Sequence, residues 1–202
     1  MWETCGLVVQ LEVYHLMTDV IGIVVDGDGD FSSLKKRFNR GYKILKTDGP
    51  RGHLASVSDI ARKSRKQIGI LRAFKCVHAI VVLDLEQRNE NYDTFLQALN
   101  DAFGNIDFGI PVSVAVANKM IENWYLADIE IISKNKNFLK DNLKQKNYEG
   151  TDGKKELKKC FKKRISYSET KHGPQLFEII RFEVASQNSI SFLNFIKLVD
   201  IN

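Results

Sequence analysis

The 202-residue chain is 44% hydrophobic and 27% charged, which excludes a disordered or low-complexity protein. Its three cysteines, Cys5, Cys76 and Cys160, are far apart and never form a CxxC pair, so neither a disulfide framework nor a zinc site is expected. No apolar run approaches the roughly 20 residues that cross a bilayer, and the opening MWETCGLVVQLEVYHLMTD has internal acids and no basic start, so a soluble, cytoplasmic protein is expected.

In chain order, LVVQLEVYHL fits an extra edge strand or a helix. IGIVVDG (21–27), YKILKTD (42–48), AIVVLDLE (79–86) and VSVAVAN (112–118) then read as strands, three of them apolar enough to be buried on both faces. FSSLKKRFNRG, SVSDIARKSRKQIGILRAF and NYDTFLQALNDAFG alternate with them at helical spacing. Alternation of this kind predicts an α/β fold, a Rossmann-like parallel sheet covered by helices, with its site at the carboxyl ends of the strands. MIENWYLADIEIISKN predicts one further helix, with Ile121, Trp124, Tyr125, Ile129 and Ile132 on a shared face. Residues 134–153 read as loop or weak helix, ELKKCFKKRI as a basic helix, and the tail as one or two helices broken near SQNS. Residues 1–130 carry 15 basic against 17 acidic side chains and residues 131–202 carry 15 against 8. The predicted division is therefore an α/β core over 1–130 and a basic helical extension over 131–202, packed together as one unit.

The segment VVDGDGDFSSLKK (24–36) concentrates acids where a buried strand ends. Asp26, Asp28 and Asp30 have calcium-loop spacing, but Phe31 stands where the loop needs glycine and Arg37 where it needs glutamate, so an EF-hand is excluded. Gly27 and Gly29 are expected to let the chain turn, with Asp28 and Asp30 in that turn. Asp84 and Glu86 end another strand, two residues apart and hence on one side of an extended chain. Carboxylates gathered at one sheet edge repel each other unless a cation balances them, and hard oxygen ligands suit Mg2+ or Mn2+.

An acid followed by glycine at the end of the first strand, with a paired acidic element ending a later one, resembles the TOPRIM fold of topoisomerases, bacterial primases and overcoming-lysogenization-defect nucleases. VDGDGD, LDLE, PVSVAVANKMIENWYLAD, YSETKHGPQL and SISFLNFI together resemble a family of small bacterial TOPRIM-like proteins over nearly the whole chain. There the first motif usually reads E-G-x-T-E, so Asp26 and Asp30 stand where glutamate is usual, and Glu86 stands where aspartate is common. The resemblance implies that Asp26 is a metal ligand or general base, that Asp84 and Glu86 are metal ligands, and that Asp30 and Glu122 join them. It also implies work beside an ATPase partner, in bacterial defence among other settings. A homodimer is compatible with it, and no Walker A motif is present in this chain.

Lys46, Arg51 and His53 lie in the glycine-containing loop after the second strand and are placed to offset phosphate charge, with Lys46 and Arg51 as the catalytic candidates. Lys155, Lys158, Lys159, Lys162, Lys163 and, expected in KHGP just before a helix, Lys171 and His172 are the candidate contacts to nucleic acid, DNA being favoured. Arg62, Lys63, Arg65 and Lys66 read as a solvated helix face, Trp124 and Tyr125 as core, and Asp128 as structural. Three functions follow from these residues. The first is a metal-dependent nuclease or phosphodiester-cleaving subunit. The second is a haloacid-dehalogenase-like phosphatase with Asp26 as nucleophile and Asp28 as acid and base, although Asp30 follows its D-x-D-G where that family carries Thr or Val. The third is a binding subunit that keeps the fold without the chemistry.

Overall fold

The β-branched runs are buried strands. A computed structural model describes residues 19–49 and 54–200; Arg51, His53 and LVVQLEVYHL lie outside them. Strands β1 (Ile21–Val25), β2 (Tyr42–Lys46), β3 (His78–Asp84) and β4 (Val112–Ala117) form one parallel sheet in the order β2-β1-β3-β4. β1 is buried throughout and β3 at all but its two ends, whereas the edge strand β2 is only half-buried.

Side chains alternate between the sheet's two faces, and each face has its own core. Val24, Val81, Leu83, Val114 and Val116 pack with α2 (Val57–Ala73) and α3 (Tyr92–Gly104). Ile21, Ile23, Val25, Ile80, Val82, Ala115 and Ala117 pack on the other face with α1 (Asp28–Arg37) and the later helices. Those are α4 (Glu122–Leu126), α5 (Ile129–Asn135), α6 (Gly153–Cys160), α7 (Glu169–Phe177), α8 (Phe182–Asn188) and α9 (Ile190–Val199). The segment expected as a C-terminal extension thus supplies most of one covering layer. Its Phe192 and Phe195 are fully buried; Trp124 stacks on Phe195 at 5.0 Å between ring centroids and donates its indole N–H to Ser191 Oγ at 3.0 Å.

Three local expectations are corrected. The helix beginning in VDGDGD starts at Asp28, so Asp28 and Asp30 occupy its first turn, where carboxylates suit the helix dipole. The helix predicted across MIENWYLADIEIISKN breaks at Asp128 (φ −131°), whose buried carboxylate turns inward to Arg181. That carboxylate takes the backbone N–H of Arg181 at 2.9 Å and its guanidinium at 3.0 and 2.7 Å. Lys171 and His172 lie inside α7 rather than before a helix. No described helix is long and apolar enough to cross a membrane.

Candidate functional site

In the strand order β2-β1-β3-β4, the chain leaves β1 toward one edge and returns on its other side as β3. The carboxyl ends of β1 and β3 therefore flank the point where winding reverses, the crevice in which open α/β sheets hold ligands. Val25 pairs with Val82 and Asp84 with Ala117, so Asp26 and Asp84 emerge on neighbouring strands at this edge. Asp26, Asp84, Glu86 and Arg88 line one small cleft there.

The glycines of VDGDGD serve close approach. Neither has a positive φ, and a Cβ on Gly27 would stand 2.7 Å from Asp30 Oδ2, so its absence lets the Asp30 carboxylate fold back beside the strand end. A Cβ on Gly29 would stand 2.8 Å from the Cβ of Glu169, so this glycine brings the first turn of α7 against α1. On the far side, α4 opens with Glu122, only 1% exposed. Gly153, opening α6, has room for no Cβ against Glu122 and Asn123, and thereby sets Lys154 over the same edge.

Four carboxyl groups thus meet. Burial, followed by the charges of Asp26 and Glu122, pushes the Asp30 carboxyl well above the usual range. Burial, followed by the charges of Asp30, Asp26 and Glu122, does the same to Asp84. Asp84 Oδ1 also accepts the backbone N–H of Ile121 at 3.0 Å, which ties β3 to the start of α4. Burial raises Glu122 against the opposing pull of Lys154. Tyr167 donates to Glu122 Oε1 at 3.0 Å, while Oε2 is buried with no hydrogen-bond partner among the described residues. Lys154 bonds Glu169 at 2.9 Å. Burial opposes its charge, but that bond and the charges of Glu122, Glu169 and Asp84 hold its pKa above the ordinary lysine value.

Sequence reasoning placed Asp26, Asp30, Asp84 and Glu122 together and missed Lys154, Glu169, Tyr167 and Arg88. Arg88 is 9% exposed, donates to the Ala55 carbonyl at 2.8 Å and covers the Phe95 ring at 4.3 Å. A signal for it existed, since Arg88 closes AIVVLDLEQR, immediately beyond the acids. Lys154, Tyr167 and Glu169 carried none, because only the fold of the C-terminal layer brings them to the sheet edge. Glu86 reaches the cleft by a different route from the one expected. β3 ends at Asp84, and Glu86 sits in the left-handed region (φ 51°), so the two-residue spacing of an extended chain does not apply.

Of the basic candidates, Lys46 pairs with Asp28 at the surface. Lys155, Lys158 and Lys159 line a cleft of about 870 Å³ together with Lys154, Glu86 and Met120. Lys162 is turned toward Asp141 at 3.6 Å, and Lys163 and Lys171 are exposed. His172 does not face solvent as a nucleic-acid contact would. It is 4% exposed and packed among Phe138, Phe161 and Tyr167, and its Nδ1 accepts the Ser168 N–H at 2.9 Å. Burial, then the Lys171 charge, lowers its pKa.

A family model described as a domain of unknown function (DUF4276) matches residues 17–200, and with them every element above. The chain belongs to this family. No curated protein and no solved structure matches it.

The oxygen-only donor set, the crowding that raises Asp30 and Asp84, and the orphaned Glu122 Oε2 all fit a hard divalent cation. Among the described residues no three acidic, histidine or cysteine side chains already stand at ligating distances, so binding requires them to draw together.

Proposed function

We propose that this protein is a TOPRIM-type, Mg2+- or Mn2+-dependent phosphodiester-cleaving enzyme acting on nucleic acid. The observation that carries this reading is the convergence of Asp26, Asp30, Asp84 and Glu122 at the winding reversal of the sheet, with the buried Glu122 Oε2 unpartnered. Those four carboxylates are the holding set, and Glu86 stands at the mouth of the cleft. When bound, the cation supplies charge stabilisation to a phosphoryl group and lowers the pKa of water. The chain's own residues do the rest. Asp26, at the end of the inner strand β1, is placed to accept a proton from the attacking water. Tyr167 and the Ile121 N–H fix the orientations of Glu122 and Asp84. Lys154 offsets phosphate charge beside the acids, and Arg88 braces the residues around Ala55 against the cleft. A partner ATPase and a place in bacterial defence belong to the same proposal through the TOPRIM resemblance.

The decisive experiment is calorimetric titration of the purified protein with Mg2+ and Mn2+, alongside cleavage of DNA and of a small phosphomonoester. Metal binding with metal-dependent DNA cleavage is the expected result. Metal binding without cleavage, with and without an ATPase partner, would leave a catalytically silent binding subunit, and absence of metal binding would overturn the reading.

A further inference from the structure

The cleft beside α6 is a second feature of the same edge, and the inference drawn from it rests on the proposed function above. α6 presents Lys154, Lys155, Lys158 and Lys159 to it, and Glu86 and Met120 close the side nearest the acids. The acids of α6 are already engaged: Asp152 caps the helix through the Lys155 N–H at 2.9 Å, and Glu156 pairs with Lys146 and Lys159. Lys155 and Lys158 form no ion pair among the described residues and are exposed, so in a cleft whose lining carries four lysines against Glu86 and Asp152 their ammonium groups are open to an anionic ligand. The eight residues of α6 rise about 12 Å, enough to run beside a few nucleotides of one strand and to set basic side chains against its phosphates. A cleft of about 870 Å³ has the size of a small-ligand pocket and can take a few nucleotides of one strand within it.

We propose that this cleft is the track for a single nucleic-acid strand, gripped through its phosphates by Lys155 and Lys158 and led past Glu86 and Lys154 to the acid cluster. Lysines elsewhere in the basic C-terminal third, Lys162 and Lys163 among them, lie off this track. The total charge of the region and the strand's grip are therefore separable.

The test is fluorescence polarisation of a labelled 12-nucleotide single strand in EDTA, so that binding is read without metal or cleavage. K155E/K158E is expected to weaken binding by about tenfold or more at low salt and to lower the slope of log affinity against log salt by about 1.4. K162E/K163E, with the same change in net charge, is expected to alter affinity by less than about threefold. K155Q/K158Q serves if the reversed pair does not fold. Equal losses for the two pairs, tighter binding of a duplex than of the single strand, or no binding by the wild type would each overturn the track. A strand held by a protein that takes up no metal would refute the proposed chemistry alone, and metal-dependent cleavage by K155E/K158E with unchanged strand affinity would refute the track alone.

Discussion

At the scale of single residues, Asp84 and Asp28 differ by environment more than by chemistry. Asp84 is pressed by three other carboxyl groups, whereas Asp28 is exposed and engaged by Lys46. D84N is therefore expected to abolish Mg2+ and Mn2+ binding by calorimetry and to leave the metal-free protein at least as stable as the wild type. D28N is expected to leave metal-dependent cleavage within a few-fold of the wild type. Loss of about 10²- to 10⁴-fold in turnover from D28N on a phosphomonoester would instead mark Asp28 as a general acid and support the phosphatase reading. The raised carboxyls also fix a pH dependence. Folded Asp30 and Asp84 keep their protons at pH values where the unfolded chain has lost them, so the folded state binds more protons there. Stability of the metal-free protein should be fully present below about pH 4 as far as these groups are concerned, and fall as pH rises through their raised pKa values. Denaturant titrations at several pH values in EDTA measure this, and D84N should flatten the slope. K154M should steepen the loss, because the cation that opposes the repulsion is gone.

At the scale of elements, the apolar runs of β1, β3 and β4 were legible because continuous burial leaves only one reading for Val- and Ile-rich segments of that length. Asp26 and Asp84 followed, since strand ends locate themselves once strands are found. Other features depended on contacts far apart in sequence. No local pattern shows that Asp128 turns inward to Arg181 and splits a helix, or that His172 is a core ring. Nor did the glycines of VDGDGD disclose whether they turn the chain or admit a neighbour; that depends on Asp30 and on Glu169, 140 positions after Gly29. The distinction can be measured. In α2, Gly69 has open space around a hypothetical Cβ, so G69A should stabilise the protein by about 1 kcal/mol through helix propensity. G29A, in the first turn of α1, meets the Glu169 Cβ and should destabilise by about 1–3 kcal/mol. Equal and stabilising effects of the two in thermal unfolding would show that α1 and α7 are not closely apposed.

At the scale of the whole molecule, the sheet has two cores and the chain builds them unequally. The buried side chains of the α2 and α3 face come from Val24 and residues 60–116, while the other face draws side chains from Ile21 to Val199. A fragment ending at residue 130 would expose Ile23, Val25, Ile80 and Val82 along with Trp124 and Tyr125. It is expected to lack a cooperative unfolding transition in circular dichroism and to aggregate, although its sequence alone contains every described strand. The same connectivity bears on the order in which charge is laid down. Synthesis runs from the N-terminus, so Asp26, Asp30, Asp84 and Glu122 all leave the ribosome before Lys154 and Glu169 do. Until then the nascent sheet edge is an anion without its built-in counterweight, and the half-made protein has neither the helix that grips a strand nor the lysine that balances the acids.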